Sequence, residues 1–128
     1  FVLIKNKIKP DMPTTVRVHV QNVLVDTIKA ANLSTWPLDS ALKKISKSKQ
    51  GAVVFITENL SSSQINNLKK SKSKVSKVKG KVDDFRTVGI GAQILNDIGV
   101  KDMILLSSPI IYHGINAFGL NVIKYVGK

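Results

Sequence analysis

Gly89-Ile90-Gly91-Ala92-Gln93-Ile94-Leu95-Asn96-Asp97-Ile98-Gly99-Val100-Lys101-Asp102-Met103-Ile104-Leu105-Leu106 carries two different periods end to end. Ile90, Ile94, Leu95 and Ile98 recur at helical spacing, and Gly99 stands where a helix stops on a left-handed residue. Met103 to Leu106 is then a short, wholly apolar run of the kind that forms a buried strand. Upstream, Ala52-Val53-Val54-Phe55-Ile56 is a second such run, which suits a central strand covered on both faces. Strand, helix and strand at these lengths predict an α/β fold, a mixed sheet with flanking helices and some parallel pairing.

The flanks add elements of both kinds. Val2 to Ile8 alternates apolar residues with Lys5 and Lys7, and Pro10-Asp11-Met12-Pro13 turns the chain into Thr14-Thr15-Val16-Arg17-Val18-His19-Val20. That pattern predicts two antiparallel strands with one face buried. Pro37 suits the first turn of a helix that continues through Leu38, Leu42 and Ile45. Ser61 to Lys72 predicts a thin helix with Ile65 and Leu68 as its apolar side, Gly114 to Phe118 a short helix stopped by Gly119, and Leu120 to Val126 a last strand. Between Lys69 and Lys81 there are seven lysines and no acid; with no stripe able to dock on a core, a mobile loop at about 69–82 is expected. The 128 residues read as a single domain, 1–128, and a first residue already inside a strand suggests the C-terminal part of a longer chain.

Composition excludes several chemistries. With no cysteine there is no disulfide, no thiolate nucleophile and no thiolate metal ligand. The absence of an apolar run long enough to span a bilayer, or of a signal segment, leads to a cytoplasmic expectation. The net charge of +12 invites a polyanion partner, yet removing the seven lysines of 69–81 leaves +5. Arginine, which reads bases by bidentate contacts, occurs only as Arg17 and Arg86, and the lysine run holds no aromatic to stack on a base, so the sequence argues against a nucleic-acid module. Gly89-Ile90-Gly91, expected at a helix start, lacks the third glycine of a dinucleotide fingerprint and is better read as close packing. His19 and His113 are isolated and Glu58 is the sole glutamate, which leaves little for acid–base or metal chemistry. Asp84 and Arg86, expected just before the helix, form the one suggestive pair: a carboxylate and a guanidinium that suit a phosphate and its attacking group, or equally a helix cap or a salt bridge.

Asp84-Phe85-Arg86-Thr87-Val88-Gly89-Ile90-Gly91-Ala92-Gln93-Ile94-Leu95, continuing to Leu105-Leu106, resembles the GTP cyclohydrolase II family of riboflavin biosynthesis, in which a D-x-R segment precedes a Y-G-I-G-A-Q-I-L helix. Val16-Arg17-Val18-His19 resembles the start of the family's R-V-H-S-E-C strand, and Gly114 to Val126 its closing G-Y-G-L-E-I-V strand. The resemblance implies a nucleotide-binding strand at Arg17 and His19. It also implies Asp84 as proton acceptor and Arg86 as the nucleophile of pyrophosphate release.

The departures are as informative. The family's three zinc cysteines fall on Asn22, Leu33 and Thr35, its R-Q-E-G-R segment on Thr57 to Ser61, and its N-N-P-x-K loop on Ser107-Ser108-Pro109. The resemblance therefore implies a degenerate, zinc-less copy without a cofactor of its own, a non-catalytic domain serving stability, assembly or regulation. Such copies are similar to the C-terminal half of bifunctional proteins whose other half is a magnesium-dependent 3,4-dihydroxy-2-butanone 4-phosphate synthase. A fused or associated synthase, a homodimer and a retained nucleotide are the partners it suggests. Two alternatives stay open: an atypical cyclohydrolase or nucleotide phosphohydrolase using Asp84 and Arg86, and a basic module binding nucleic acid through the lysine run.

Overall fold

The computed structural model describes residues 1–21, 36–57, 83–107 and 114–127, with backbone alone for 83–87. Its elements are β1 (Val2–Lys5), β2 (Thr14–Gln21), α1 (Leu38–Ser46), β3 (Gly51–Thr57), α2 (Asp83–Asp97), β4 (Asp102–Leu106), a 3-10 turn (Ile115–Phe118) and β5 (Asn121–Val126). One mixed sheet runs in the order β1-β3-β2-β4-β5. Strand β3 is parallel to β2, β2 to β4 and β4 to β5, while β1 alone runs antiparallel, against β3.

The expected pairing of the first two strands is not what forms. Strands β1 and β2 do run in opposite directions, but β3 lies between them. The reason is burial: Ala52, Val53 and Val54 are essentially inaccessible, so β3 needs a partner on each side. The link 6–13 is long enough to cross one strand, since two inter-strand spacings are only about 10 Å. Asn6, at φ 60, starts that link, a conformation asparagine tolerates better than most residues. Strand β3 is interior as expected, although β2 holds the middle of the sheet and is covered on both faces.

The step from β2 to β3 moves one strand toward β1, and the step from β3 to β4 moves back past β2. Crossovers of one hand then place their helices on opposite faces. Accordingly α1 buries Ala41 and Ile45 against Val53 and Leu106, while α2 buries Ala92 and Leu95 against Val16, Ala52, Val54, Met103 and Leu105. Helix α2 begins several residues earlier than the periodicity indicates, so Gly89-Ile90-Gly91 sits inside it and not at a strand-to-helix turn, which removes any dinucleotide-loop reading. Gly91 serves close packing, as expected: a Cβ there would lie 3.3 Å from Val18 Cγ1. The end of α2 follows the sequence pattern. Gly99 has φ 93, its N–H bonds to Asn96 O at 3.0 Å, and Val100 N–H bonds to Leu95 O at 3.1 Å, which closes a Schellman motif. Gly119, at φ 74, stops the 3-10 turn. The helix expected over 61–72 and the loop expected at 69–82 lie outside the described residues.

The turn from α1 into β3 is a dense polar joint that periodicity does not reveal. Gln50, 2% exposed, accepts from Lys9 N–H at 3.0 Å through Oε1, and its Nε2 lies 2.8 Å from both Met12 O and Thr14 Oγ1. Lys5 Nζ donates to Ser46 O and, at 2.6 Å, to Ser48 O, which satisfies carbonyls at the negative end of α1. Gly51 admits this crowding because it has no side chain: a Cβ there would stand 2.6 Å from Ile45 Cγ2 and 3.0 Å from Thr15 O. Glycine to alanine in a strand normally stabilises by restricting the unfolded chain. Here Gly51→Ala is expected to destabilise by about 2 kcal/mol through overpacking against buried Ile45, and a denaturant midpoint equal to or above the parent's would refute this.

Candidate functional site

In open parallel sheets, ligands collect beyond the carboxyl ends of the strands, where consecutive crossovers part to opposite faces. In this chain that place is the carboxyl edge of β2, β3 and β4. Residues 22–35, 58–82 and 108–113, which leave those three strand ends, lie outside the described residues. They contain Asn22, Leu33 and Thr35, the lysine run, His113 and most of Ser107-Ser108-Pro109. The described residues supply the roots of the site.

Arg17 and His19 project from the same face of β2, the face that carries α1. Arg17 Nη1 donates to Leu106 O at 2.9 Å and Nη2 to Trp36 O at 3.3 Å. Trp36 Nε1 in turn donates to Val126 O at 2.7 Å, and that carbonyl also accepts from Ser107 N–H at 3.1 Å. One guanidinium and one indole thus tie the carboxyl ends of β4 and β5 to the residue that leads into Pro37 and α1. Pro37, at φ −59 and ψ 145, holds the N-cap position of α1, and its carbonyl accepts the Ala41 N–H at 3.0 Å. His19 is 7% exposed and meets Phe55 edge-on, with ring centroids 5.9 Å apart.

Asp84 and Arg86 do not precede α2; they occupy its first turn. Successive helical residues turn by about 100°, so positions two apart do not lie on one stripe of the helix. Because α2 runs from the end of β3 back to the start of β4, its first turn lies at the carboxyl edge. The fold therefore brings Arg17, His19, Asp84 and Arg86 to one edge, rooted on opposite faces of the sheet. Among the described residues no three of His, Cys, Asp and Glu converge on a point, and no helix is long and apolar enough to cross a membrane. Sequence reasoning missed Trp36; its signal was slight, a lone tryptophan with a polar tip directly before a helix-starting proline.

The chain has relatives among known proteins. The family model for GTP cyclohydrolase II matches residues 1–127. The chain belongs to the GTP cyclohydrolase II family. A 3,4-dihydroxy-2-butanone 4-phosphate synthase of Photobacterium phosphoreum is 35% identical over 98% of this chain and 35% of its own length. A riboflavin biosynthesis protein RibBA of Chlorobium phaeovibrioides is 32% identical over 98% of this chain and 33% of its own. The crystal structure of RibBX, a two domain 3,4-dihydroxy-2-butanone 4-phosphate synthase from A. baumannii, superposes with a TM-score of 0.52 at 25% identity, covering 98% of this chain and 30% of that one. The chain thus spans about a third of the length of these relatives, one of which is named for riboflavin biosynthesis. The α/β mixed sheet expected from the sequence is the fold of a GTP cyclohydrolase II-like domain.

Proposed function

We propose that this GTP cyclohydrolase II-family domain has lost the ring-opening chemistry of its family and serves the stability, assembly or regulation of a fused or associated 3,4-dihydroxy-2-butanone 4-phosphate synthase. The observation that carries this reading is the donor set. The resemblance gives the family's zinc three cysteine thiolates, and at those positions Asn22, Leu33 and Thr35 offer an amide, an alkyl group and a hydroxyl, none of them a ligand that holds zinc and acidifies its water. The residues present do not fit the metal, so no hydrolytic step is assigned through it. Arg17 supports the same reading, because its outer nitrogens bond to the protein's own carbonyls and so serve the sheet edge. Relatives that share this whole segment while being named for the synthase alone are consistent with it. Magnesium belongs, on this reading, to the synthase part; a homodimer is the expected assembly and the cytoplasm the expected location.

The test is direct. The purified protein supplied with zinc and GTP is expected to release neither formate nor pyrophosphate above a protein-free control, and to retain less than a tenth of an equivalent of zinc after desalting. One equivalent of bound zinc, or steady formate release, would sink the proposal. Arg86→Ala separates the phosphohydrolase reading: pyrophosphate release present in the parent and lost in this variant would favour Asp84 and Arg86 as a working pair on the first turn of α2.

A further inference from the structure

Residues 5–12 and 43–50 carry seven lysines and a single acid, Asp11. Far apart in sequence, they meet in the fold. Lys5 Nζ reaches Ser46 O and Ser48 O, Asn6 Nδ2 donates to Lys49 O at 2.8 Å, and Gln50 bonds to both the N–H and the carbonyl of Lys9 at 3.0 Å. The two segments form one surface beside Gly51 and Thr14, where β3 and β2 begin, at the opposite end of the sheet from Arg17 and Trp36. Lys7, Lys9, Lys43, Lys44, Lys47 and Lys49 are all exposed, and none forms an ion pair with a described residue. Six unpaired ammonium groups on a cross-braced backbone repel one another, and together they raise the local potential well above that of a mixed surface.

The chemistry of the surface narrows what it fits. Neither segment itself exposes a large apolar side chain; on α1 Ala41 and Ile45 are buried, and the partly exposed Leu42 and Ile4 stand singly, short of the continuous apolar face that an amphipathic element lays among acyl chains. With no arginine and no aromatic in either segment, the surface lacks guanine readout and base stacking. What it offers is closely set point charges, and the densest counterpart is the phosphate backbone of a duplex, about one charge per 1.7 Å of axis. We propose that this lysine face at the amino edge of the sheet is a sequence-independent docking surface for the phosphate backbone of nucleic acid, formed by other residues than the lysine run of 69–81 and at the opposite edge from Arg17 and His19.

The probe is a fluorescein-labelled 20-base-pair duplex of mixed sequence, titrated with the full chain at several salt concentrations and read by anisotropy. Binding is expected to weaken steeply with salt. Lys43→Gln, Lys44→Gln, Lys47→Gln and Lys49→Gln combined are expected to lower affinity more than tenfold near 50 mM salt and to flatten the slope of log K against log salt by up to about 3.6, each lost phosphate contact removing about 0.9. These positions are exposed, and an unchanged thermal melt confirms that the variant is folded. A second variant with every lysine of 69–81 replaced by glutamine is expected to keep at least part of the binding and the sensitivity to the first four changes. The proposal is overturned if the parent does not bind the duplex, if the four substitutions leave affinity and slope as they were, or if the 69–81 variant alone abolishes binding. It is equally overturned if vesicles with 30 mol% anionic lipid capture the protein while the duplex does not.

Discussion

Arg17→Met is expected to destabilise the domain by about 3 kcal/mol, lower its melting temperature by roughly 10 °C, and shift the emission of its single tryptophan to longer wavelength. The methionine keeps most of the aliphatic stem, so the loss falls on the hydrogen bonds. Without the guanidinium, Leu106 O and Trp36 O lose charge-assisted donors at a partly buried edge, and hydrogen bonds to a charged group contribute about 1.5–3 kcal/mol each in such settings. Trp36 is also held through its indole N–H on Val126 O, so a loosened Trp36 carbonyl frees the ring to sample water. Arg17→Lys should recover less than half of the loss, because one ammonium does not span two carbonyls as a planar fork does. An Arg17→Met protein that melts with the parent and keeps its emission maximum would show that the guanidinium serves something other than the sheet edge.

That result bears on what became of the family's site. The resemblance implies nucleotide binding at Arg17 and His19, yet a loss of stability in Arg17→Met would give Arg17 a role in the fold whether or not a nucleotide ever binds. Persistence of Arg17 in a chain without the zinc cysteines is then expected on structural grounds alone. His19, enclosed against Phe55, fits the same account of a side chain kept by packing.

How much of this the sequence discloses depends on the range of the interaction. The helix around Ile94 and Leu95, its stop at Gly99, the apolar strands at 52–56 and 103–106, and the turn before Gly119 are set by neighbours within a few residues, and periodicity finds them. Strand order is set by which edge each apolar run must cover, a long-range matter, so the insertion of β3 between β1 and β2 was invisible locally. Glutamine before a glycine carries no local signature, so Gln50 gave no hint that it would gather Lys9, Met12 and Thr14. The early start of α2 is legible only in hindsight: Phe85 and Val88 precede Ala92 and Leu95 at helical spacing, but Gly89 and Gly91 between them read as a helix opening. At the site, a motif showed which residues to examine, whereas the partners of Arg17 are backbone carbonyls that no side-chain pattern encodes.

Leu95→Ala is expected to cost about 3–4 kcal/mol, a large share of the 5–15 kcal/mol that holds most domains together. Leu95 is 1% exposed and sits among Val16, Val54, Met103, Leu105 and Leu120, at the crossing of α2 with the middle of the sheet. Its carbonyl also receives the Val100 N–H that completes the Schellman motif, and Val100 packs in the same cluster, so the substitution opens a cavity where the helix is both anchored and ended. Ile90→Ala on the same helix is the control: Ile90 is 46% exposed, and its truncation should cost under about 1 kcal/mol. Urea unfolding of the two variants with equal slopes would compare them cleanly. The consequence reaches the other end of the helix, because α2 has no second anchor of equal depth among the described residues and its first turn carries Asp84 and Arg86. Amide exchange over residues 88–97 should accelerate in Leu95→Ala well beyond Ile90→Ala. Equal costs and equal exchange in the two variants would mean that the seat of α2, and with it the place of the D-x-R segment, is fixed by something other than this core contact.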